Sequence, residues 1–346
     1  MSLFQVASDP PTKLGIYRVL SSRAGVRVSS LVLGAMSVGD KWEVFGMRSM
    51  NKDQDETSDE FLGEWAEKRG IRDQLVIATK YTLDYKRGDD AVTQKVNYVR
   101  NSSKSMHISV EASLKKLRTS TSYAFTVMDS LHNLVAAQKV LYLGISDTPA
   151  WVVSQANQYA MDHGKTPFVI YQGKWNIFER SFEREIIPMA RSPGLALSPW
   201  AVVGQGRLRT DAEEQQRKET GENGRTMFSP NWEGTEVEVK VRRALEKVAA
   251  KVGVGSNIRA VAIAYVMHKT PNVFPIIGGR KVEHLKSNIE ALDISLSKEQ
   301  LEYLDGAVPF DPGFPTTMIG DGTSYSFLLS SVVKMAKLPA LQPIKL

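Results

Sequence analysis

The chain predicts an α/β fold built on a parallel sheet that closes into a barrel. From residue 75 onward, short apolar runs rich in Val, Ile, Leu and Phe mostly alternate with helical patterns. A parallel sheet with right-handed crossovers requires that order. The runs end on polar or Gly-rich residues, as barrel strands do where their carboxyl ends carry chemistry: VIATK at 76–80, GISD at 144–147, YQ at 171–172 and IGGRK at 277–281. A length of 346 residues, with 42% hydrophobic and 24% charged content, suits one large core of this kind. One domain is expected over residues 1–346, with an N-terminal extension and hairpin at 1–30 and a C-terminal tail at 325–346.

Residues 14–28 read as the hairpin and 31–36 as the first barrel strand. A helix at 58–69 follows, opened by the capping-box spacing of Thr57 and Glu60 and stopped by Gly70. The run 75–81 is a buried strand that ends on Lys80. The next helix carries Met106, Val110, Leu114 and Leu117 on one face and ends near Arg118. Another, with Val127, Met128, Leu131, Leu134 and Val135, begins almost at once. Strands at 140–145, 168–171, 195–199 and 273–277 come next, with a helix striped by Val237, Val241, Leu245 and Val248 before the last. Ser297 and Gln300 form a second capping box, and Gly306 stops its helix. Residues 207–224 are charged and read as one surface loop. The tail is apolar but broken by Lys334, Lys337, Pro339 and Pro343, so it is expected to dock rather than span a bilayer.

Two places break the alternation. Residues 37–57 hold no sustained apolar run, and 119–126 offer at most a strand of minimal length at 122–127. A β/α chain should not pass from helix to helix without returning through the sheet. The expected barrel is therefore incomplete, with its second and fourth strands missing or vestigial.

Composition narrows the function. The chain has no cysteine, so disulfides and thiolate metal sites are excluded, and a reducing, cytoplasmic location is expected. The net charge of +6 favours an anionic cofactor. Basic clusters at Lys115, Lys116 and Arg118, and at Lys240, Arg242 and Arg243, read as solvated helix faces rather than a nucleic-acid surface. No signal peptide, membrane anchor or metal cluster is expected. His107, His132 and His163 read as surface or structural residues. Lys80 stands out, because an ammonium at the end of a buried strand needs a partner or a task.

The ordered set of LVLGAM (31–36), LGEW (62–65), VIATK (76–80), GISD (144–147), FVIYQGKWN (168–176) and PIIGGRKVEHLKSN (275–288) resembles the aldo-keto reductase family. The likeness is strongest to its fungal aryl-alcohol dehydrogenase and norsolorinic-acid-reductase-like branch. It covers roughly residues 12 to 325. The resemblance implies a (β/α)8 TIM barrel that binds NADP(H) at the carboxyl ends of its strands, without a Rossmann domain. It also implies a small-molecule carbonyl or alcohol substrate, with hydride passing to the carbonyl carbon while a tyrosine gives a proton to oxygen. A lysine cation beside a phenol favours phenolate and brings the acid closer to working pH.

Carried over by position, Lys80 matches the family's catalytic lysine. Ser146, Asp147 and Gln172 match the residues that hold the nicotinamide carboxamide, although many relatives have asparagine at the place of Asp147. Leu197 stands where many relatives stack an aromatic ring on the nicotinamide. Gly204 and Gly206 lie in the PWAVVGQG loop (199–206), which resembles the loop over the pyrophosphate. Gly278 belongs to the last strand's Gly-Gly step. Arg280 and Lys281 match the cations for the adenosine 2′-phosphate, and His284 and Asn288 match adenine-side positions. The family's Asp, Tyr and His have no counterpart, since their places fall in the two interrupted regions. The alternative to an active oxidoreductase is therefore a catalytically impaired, cofactor-binding relative or the product of a shortened gene model. Tyr81, Tyr85, Tyr98 and Tyr123 are the nearest substitutes for the acid. Tyr81 should face away from Lys80 and pack. Trp42 and Trp175 are expected at the pocket mouth or in the core.

Overall fold

The chain enters through an antiparallel hairpin, β1 (Arg18–Ser21) and β2 (Ala24–Val28). In this computed structural model the described residues are 6–35, 38, 57–82, 86, 89–98, 102–119, 122–124, 128–220, 235–279, 281–337 and 341–343, with the backbone alone at 57, 122–124, 217 and 218. Leu20 and Ala24 of the hairpin pack on Val169, Ala196 and Phe274, which lie at the beginnings of later strands. Arg18 donates to the Val273 carbonyl, and its guanidinium lies 4.7 Å from the Phe274 ring centre. The hairpin thus covers the amino ends of the sheet and leaves the carboxyl ends for the site.

The first parallel strand, β3 (Val32–Leu33), is only two residues long. Helix α1 (Thr57–Arg69) follows and ends on Gly70 at φ 63°, a left-handed stop that glycine adopts without strain. Then come α2 (Ser103–Lys116), β4 (Ser122–Ala124), α3 (Met128–Ala136), β5 (Val140–Ser146), α4 (Ala150–Asp162), β6 (Phe168–Lys174), α5 (Ile186–Arg191) and β7 (Ala196–Trp200). After α6 (Asp211–Thr220), α7 (Glu236–Val252) and α8 (Ile258–Lys269), β8 (Ile276–Ile277) leads to α9 (Val282–Ile289) and α10 (Lys298–Asp305). Strands β4, β5, β6 and β7 form one parallel sheet in chain order. A bridge between Leu197 and Val273 carries the sheet towards β8, which pairs in parallel with β3. The main core lies between this sheet and its helices, with Val140, Leu143, Phe168, Leu197, Val241, Leu245 and all of residues 260–266 buried.

Several expectations change. The run 75–81 is extended but makes no ladder hydrogen bond among the described residues. A strand needs neighbours in register; β4 is three residues long and, among the described residues, pairs with β5 alone. The minimal strand expected near 122–127 is present as β4. Residues 207–224 are not one loop, because 211–220 are helical. Thr210 opens that helix: its Oγ accepts from the Glu213 backbone while its own N–H donates to the Glu213 carboxylate. Arg242 is not on a solvated face but buried, bonded to Glu214 and to the Arg209 carbonyl. Among its described residues the tail does not dock: after α11 (Thr316–Ile319), the stretch around α12 (Phe327–Ser330) leaves Phe327, Leu328, Leu329 and Val332 exposed. The segment before the tail is tied to the domain by Arg184, which donates to the carbonyls of Asp311 and Pro312, and by Arg191, which bonds Asp321. The Ser297–Gln300 capping box is formed as expected, whereas the side chain of Thr57 lies outside the described residues.

The segment before Lys80 is held by a polar clamp in place of ladder bonds. Thr79 is buried and its Oγ lies 3.0 Å from Ser113 Oγ of α2. Asp59 of α1 accepts from both hydroxyls, yet burial outweighs those bonds and raises its pKa above the ordinary aspartate value. A carboxyl with a raised folded pKa stabilises the fold while protonated, and that contribution fades as pH rises through the folded value. Asp59→Asn removes this term. The variant's stability relative to the parent should therefore grow from about pH 4 to pH 7 in urea titrations. A difference that stays flat across that range would show that Asp59 is ionised without penalty.

Candidate active site

The strand register lines up polar residues at the open end of the sheet. Ser146 of β5 pairs with Gln172 of β6, and Gln172 with Ser198 of β7. Just past β5, the Asp147 N–H donates to the Gln172 carbonyl at 3.0 Å. The chain then turns through Asp147 at φ 48°, a left-handed conformation uncommon outside glycine. Tyr171 fixes the turn, its hydroxyl donating to the Thr148 carbonyl at 2.8 Å and accepting from the Thr148 N–H at 3.1 Å. Burial pushes the Tyr171 phenol up to about 12, the Asp147 charge adds to this, and the Thr148 contact opposes it. Tyr171 therefore keeps its proton at neutral pH and braces the turn through both contacts with Thr148.

Asp147 is the centre of the group. Ser146 Oγ donates to Oδ2 at 2.6 Å, and Trp200 Nε1, from the end of β7, donates to Oδ1 at 3.1 Å. Lys80 arrives from the end of the clamped segment. Its side chain is open to solvent by area, yet enough protein surrounds it for desolvation to lower its pKa, while Asp147 pulls it back up. The Gln172 amide is half-buried and makes no hydrogen bond to the described residues. Ser146, Asp147 and Gln172 thus stand together at the end of the sheet, with Lys80 within reach of the Asp147 charge.

A second group flanks the first. Gly204–Gly206 form a tight turn in which Gly204, Gln205 and Gly206 all have positive φ. A Cβ on Gly204 would stand 2.9 Å from the Phe178 ring, whereas the space beside Gly206 is open. Arg207 bonds Glu238 at 2.6 Å, and Arg209 donates to the Gly206 carbonyl, so the turn is fastened to α7. On the far side, Gly278 follows β8, and its carbonyl accepts from the buried Asn288 side chain at 3.5 Å. His284 packs so closely on Gly279 that a Cβ there would lie 2.5 Å from its own. Lys281 is the exposed N-cap of α9. Arg280, Trp42 and Tyr85 lie outside the described residues.

One expectation fails here. Leu197 is buried in the core and cannot present a face at the open end, since β7 is buried on both sides through Pro199. The aromatic at that end is Trp200, which sequence reasoning passed over. Trp175 is fully buried, stacked on Phe182 and donating to Glu183 at 3.2 Å, which is the core alternative expected for it. Tyr81 packs in the core as expected. Tyr98 is half-buried in a short 3₁₀ turn, and only the backbone of Tyr123 is described. His107 is exposed, His132 bonds Thr166, and His163 stacks on Tyr159.

A lysine, a hydrogen-bonded carboxylate, an amide and glycine turns at the carboxyl ends of parallel strands stand where α/β folds of this kind carry their chemistry. The aldo/keto reductase family model matches residues 43–309, and the chain belongs to that family. It is 52% identical over 383 positions to an NADP(+) aryl-alcohol dehydrogenase of Phanerodontia chrysosporium, covering 100% of this chain and 99% of that one. It is 50% identical over 369 positions to a putative aryl-alcohol dehydrogenase of Saccharomyces cerevisiae, covering 96% and 97%. A norsolorinic acid reductase of Aspergillus flavus is 42% identical over 386 positions, covering 98% and 95%.

Proposed function

We propose that the chain is an NADP(H)-dependent oxidoreductase that interconverts aromatic aldehydes or ketones and the corresponding alcohols. The observation that carries this is the convergence of Lys80, Asp147, Gln172 and Trp200 at the carboxyl ends, in a chain about half identical to aryl-alcohol dehydrogenases over its whole length. The donors present suit a phosphorylated dinucleotide. The Gly206 side of its turn is open to phosphate, the Gln172 amide is free to meet a carboxamide, and Lys281 stands at the start of α9. When bound, the nicotinamide supplies or accepts the hydride. Lys80 places an ammonium where charge develops on the substrate oxygen, and the Asp147 carboxylate accepts from Ser146 and Trp200 beside it. Arg280, His284 and Asn288 complete the adenosine side in this reading. The domain is single, it works on small molecules, and a cytoplasmic setting suits a chain without cysteine.

A second reading is a relative that binds cofactor but turns over poorly. It is favoured by the length of the relatives: the alignment to the Phanerodontia enzyme spans 383 positions while this chain has 346 residues, so it opens gaps in this chain. Such gaps agree with an incomplete barrel whose second and fourth strands are missing or reduced to β4, and with the absence of the family's Asp, Tyr and His from their expected segments. Steady-state oxidation of NADPH with 3,4-dimethoxybenzaldehyde separates the two. Turnover that depends on both supports the oxidoreductase, and cofactor binding without turnover supports the impaired relative.

A further inference from the structure

We infer that Asn176 is the positioning residue of the Gly204–Gly206 turn: its side-chain amide bolts the exit of β6 to the exit of β7 and holds that turn in the shape a dinucleotide phosphate meets. The assignment rests on the reading of the turn as part of a cofactor site, and Asn176 acts there through its neighbours, not by contact. Asn176 follows Trp175 just past β6 and is buried. Its Oδ1 accepts from the Phe178 and Glu179 N–H groups, both at 2.9 Å, and its Nδ2 donates to the Ala201 carbonyl at 3.0 Å. Two donors on one atom and a carbonyl on the other fix which end is oxygen. The main chains beside it are joined as well, through the Trp175 N–H to the Trp200 carbonyl at 3.4 Å.

What the amide holds is unusual backbone. Ala201 has φ 58°, a left-handed conformation that strains a residue carrying a Cβ. Such a residue stays there only where its surroundings fix it. Its carbonyl is taken twice, by Asn176 and by the Gly204 N–H at 2.8 Å. The second of these bonds opens the turn in which Gly204, Gln205 and Gly206 have positive φ. The other end of the same amide fixes the Phe178 backbone, and the Phe178 ring packs so closely on Gly204 that a Cβ there would stand 2.9 Å away. One side chain therefore sets the approach to the turn through Ala201 and its support through Phe178. Trp200 precedes Ala201 and reaches Asp147 with its indole, so the same bolt governs the aromatic at the open end. An aspartate at 176 would keep the acceptor but turn an oxygen towards the Ala201 carbonyl. An alanine would take a partner from that carbonyl and from two N–H groups.

The test has one arm without cofactor. The indole N–H signals of the full chain are followed by NMR, with Trp200→Phe used to assign Trp200. Asn176→Asp and Asn176→Ala should both shift the Trp200 signal and speed its exchange with solvent about three- to tenfold, because the bond to Asp147 loosens. Leu304→Ala, a core deletion in α10, should lower stability without moving that signal. In the second arm, titration with NADPH should give a dissociation constant about five- to twentyfold weaker in both Asn176 variants. If the Trp200 signal stays in place in both, or moves as much in Leu304→Ala, the assignment is wrong. If it moves but NADPH binds the variants as it binds the parent, Asn176 shapes a turn the cofactor does not use, and the assignment is again wrong. Weaker binding by Asn176→Asp alone would trace to its charge and overturn the role of the amide. A parent that binds no dinucleotide overturns the cofactor reading itself, and the first arm tells that failure apart. Circular dichroism checks that each variant folds, and Asn176→Ser, neutral and still an acceptor, replaces Asn176→Ala if that variant does not.

Discussion

Lys80→Met should lower kcat/KM for an aromatic aldehyde about 10²- to 10³-fold and leave NADPH affinity within about threefold of the parent. The reason is placement. Lys80 follows a segment with no ladder bonds among the described residues, yet Thr79 one residue earlier is locked to Ser113 and Asp59. That lock buries Thr79 and leaves Lys80, the next residue, exposed at the end of the segment. A methionine keeps the length and the packing of the stem but removes the charge that we propose meets the reacting oxygen. Loss of transition-state stabilisation alone lowers kcat and spares cofactor binding. If the variant keeps more than about a third of the parent kcat/KM, Lys80 takes no part in the chemistry.

Glu183→Ala should cost about 3–5 kcal/mol of folding stability, measured by urea unfolding. Glu183 follows β6 in a short 3₁₀ turn, and its side chain is nearly buried. It accepts from Arg180 at 2.8 and 2.9 Å and from Trp175 Nε1 at 3.2 Å, and it lies 3.3 Å from Lys269. Arg180 and Lys269 also share Asp305 at the end of α10, to which Tyr265 donates at 2.5 Å. Two cations and two carboxylates thus join the β6–α5 connection, α8 and α10 in one network. Removing Glu183 leaves Arg180 and Lys269 with one anion between them and the Trp175 N–H unpaired in the core. Glu183→Gln should cost less, because it keeps an acceptor for Trp175. A loss below about 1 kcal/mol for the alanine variant would mean that water replaces the carboxylate readily.

How much of this could be read from the sequence depended on which force shapes each element. Strands β5, β6 and β7 were legible because burial on both faces demands unbroken apolar runs. The same property hid the direction of Leu197, since a strand buried on both sides gives no alternation to read. The run 75–81 has the composition of a strand, but pairing is a property of neighbours, and composition does not report them. Helix α6 was missed because DAEEQQRKET has no apolar stripe; its signal was the Thr210–Glu213 capping box. Asp147 was singled out by family likeness, and only the fold shows its carboxylate held by Ser146 and Trp200. Trp200 was overlooked beside the glycines of its loop. A tryptophan ending a buried strand, with an N–H that needs an acceptor, was the available clue.

The most direct measurement is an equilibrium titration of the purified chain with NADPH and with NADH, followed through tryptophan fluorescence, on the parent and on Lys281→Met. A chain that keeps the family's cofactor site should bind NADPH with micromolar affinity and discriminate against NADH by at least about tenfold. Lys281→Met should erase most of that preference by removing a cation for the extra phosphate. Equal affinity for the two nucleotides, or no saturable binding of either, would contradict the assignment of this site.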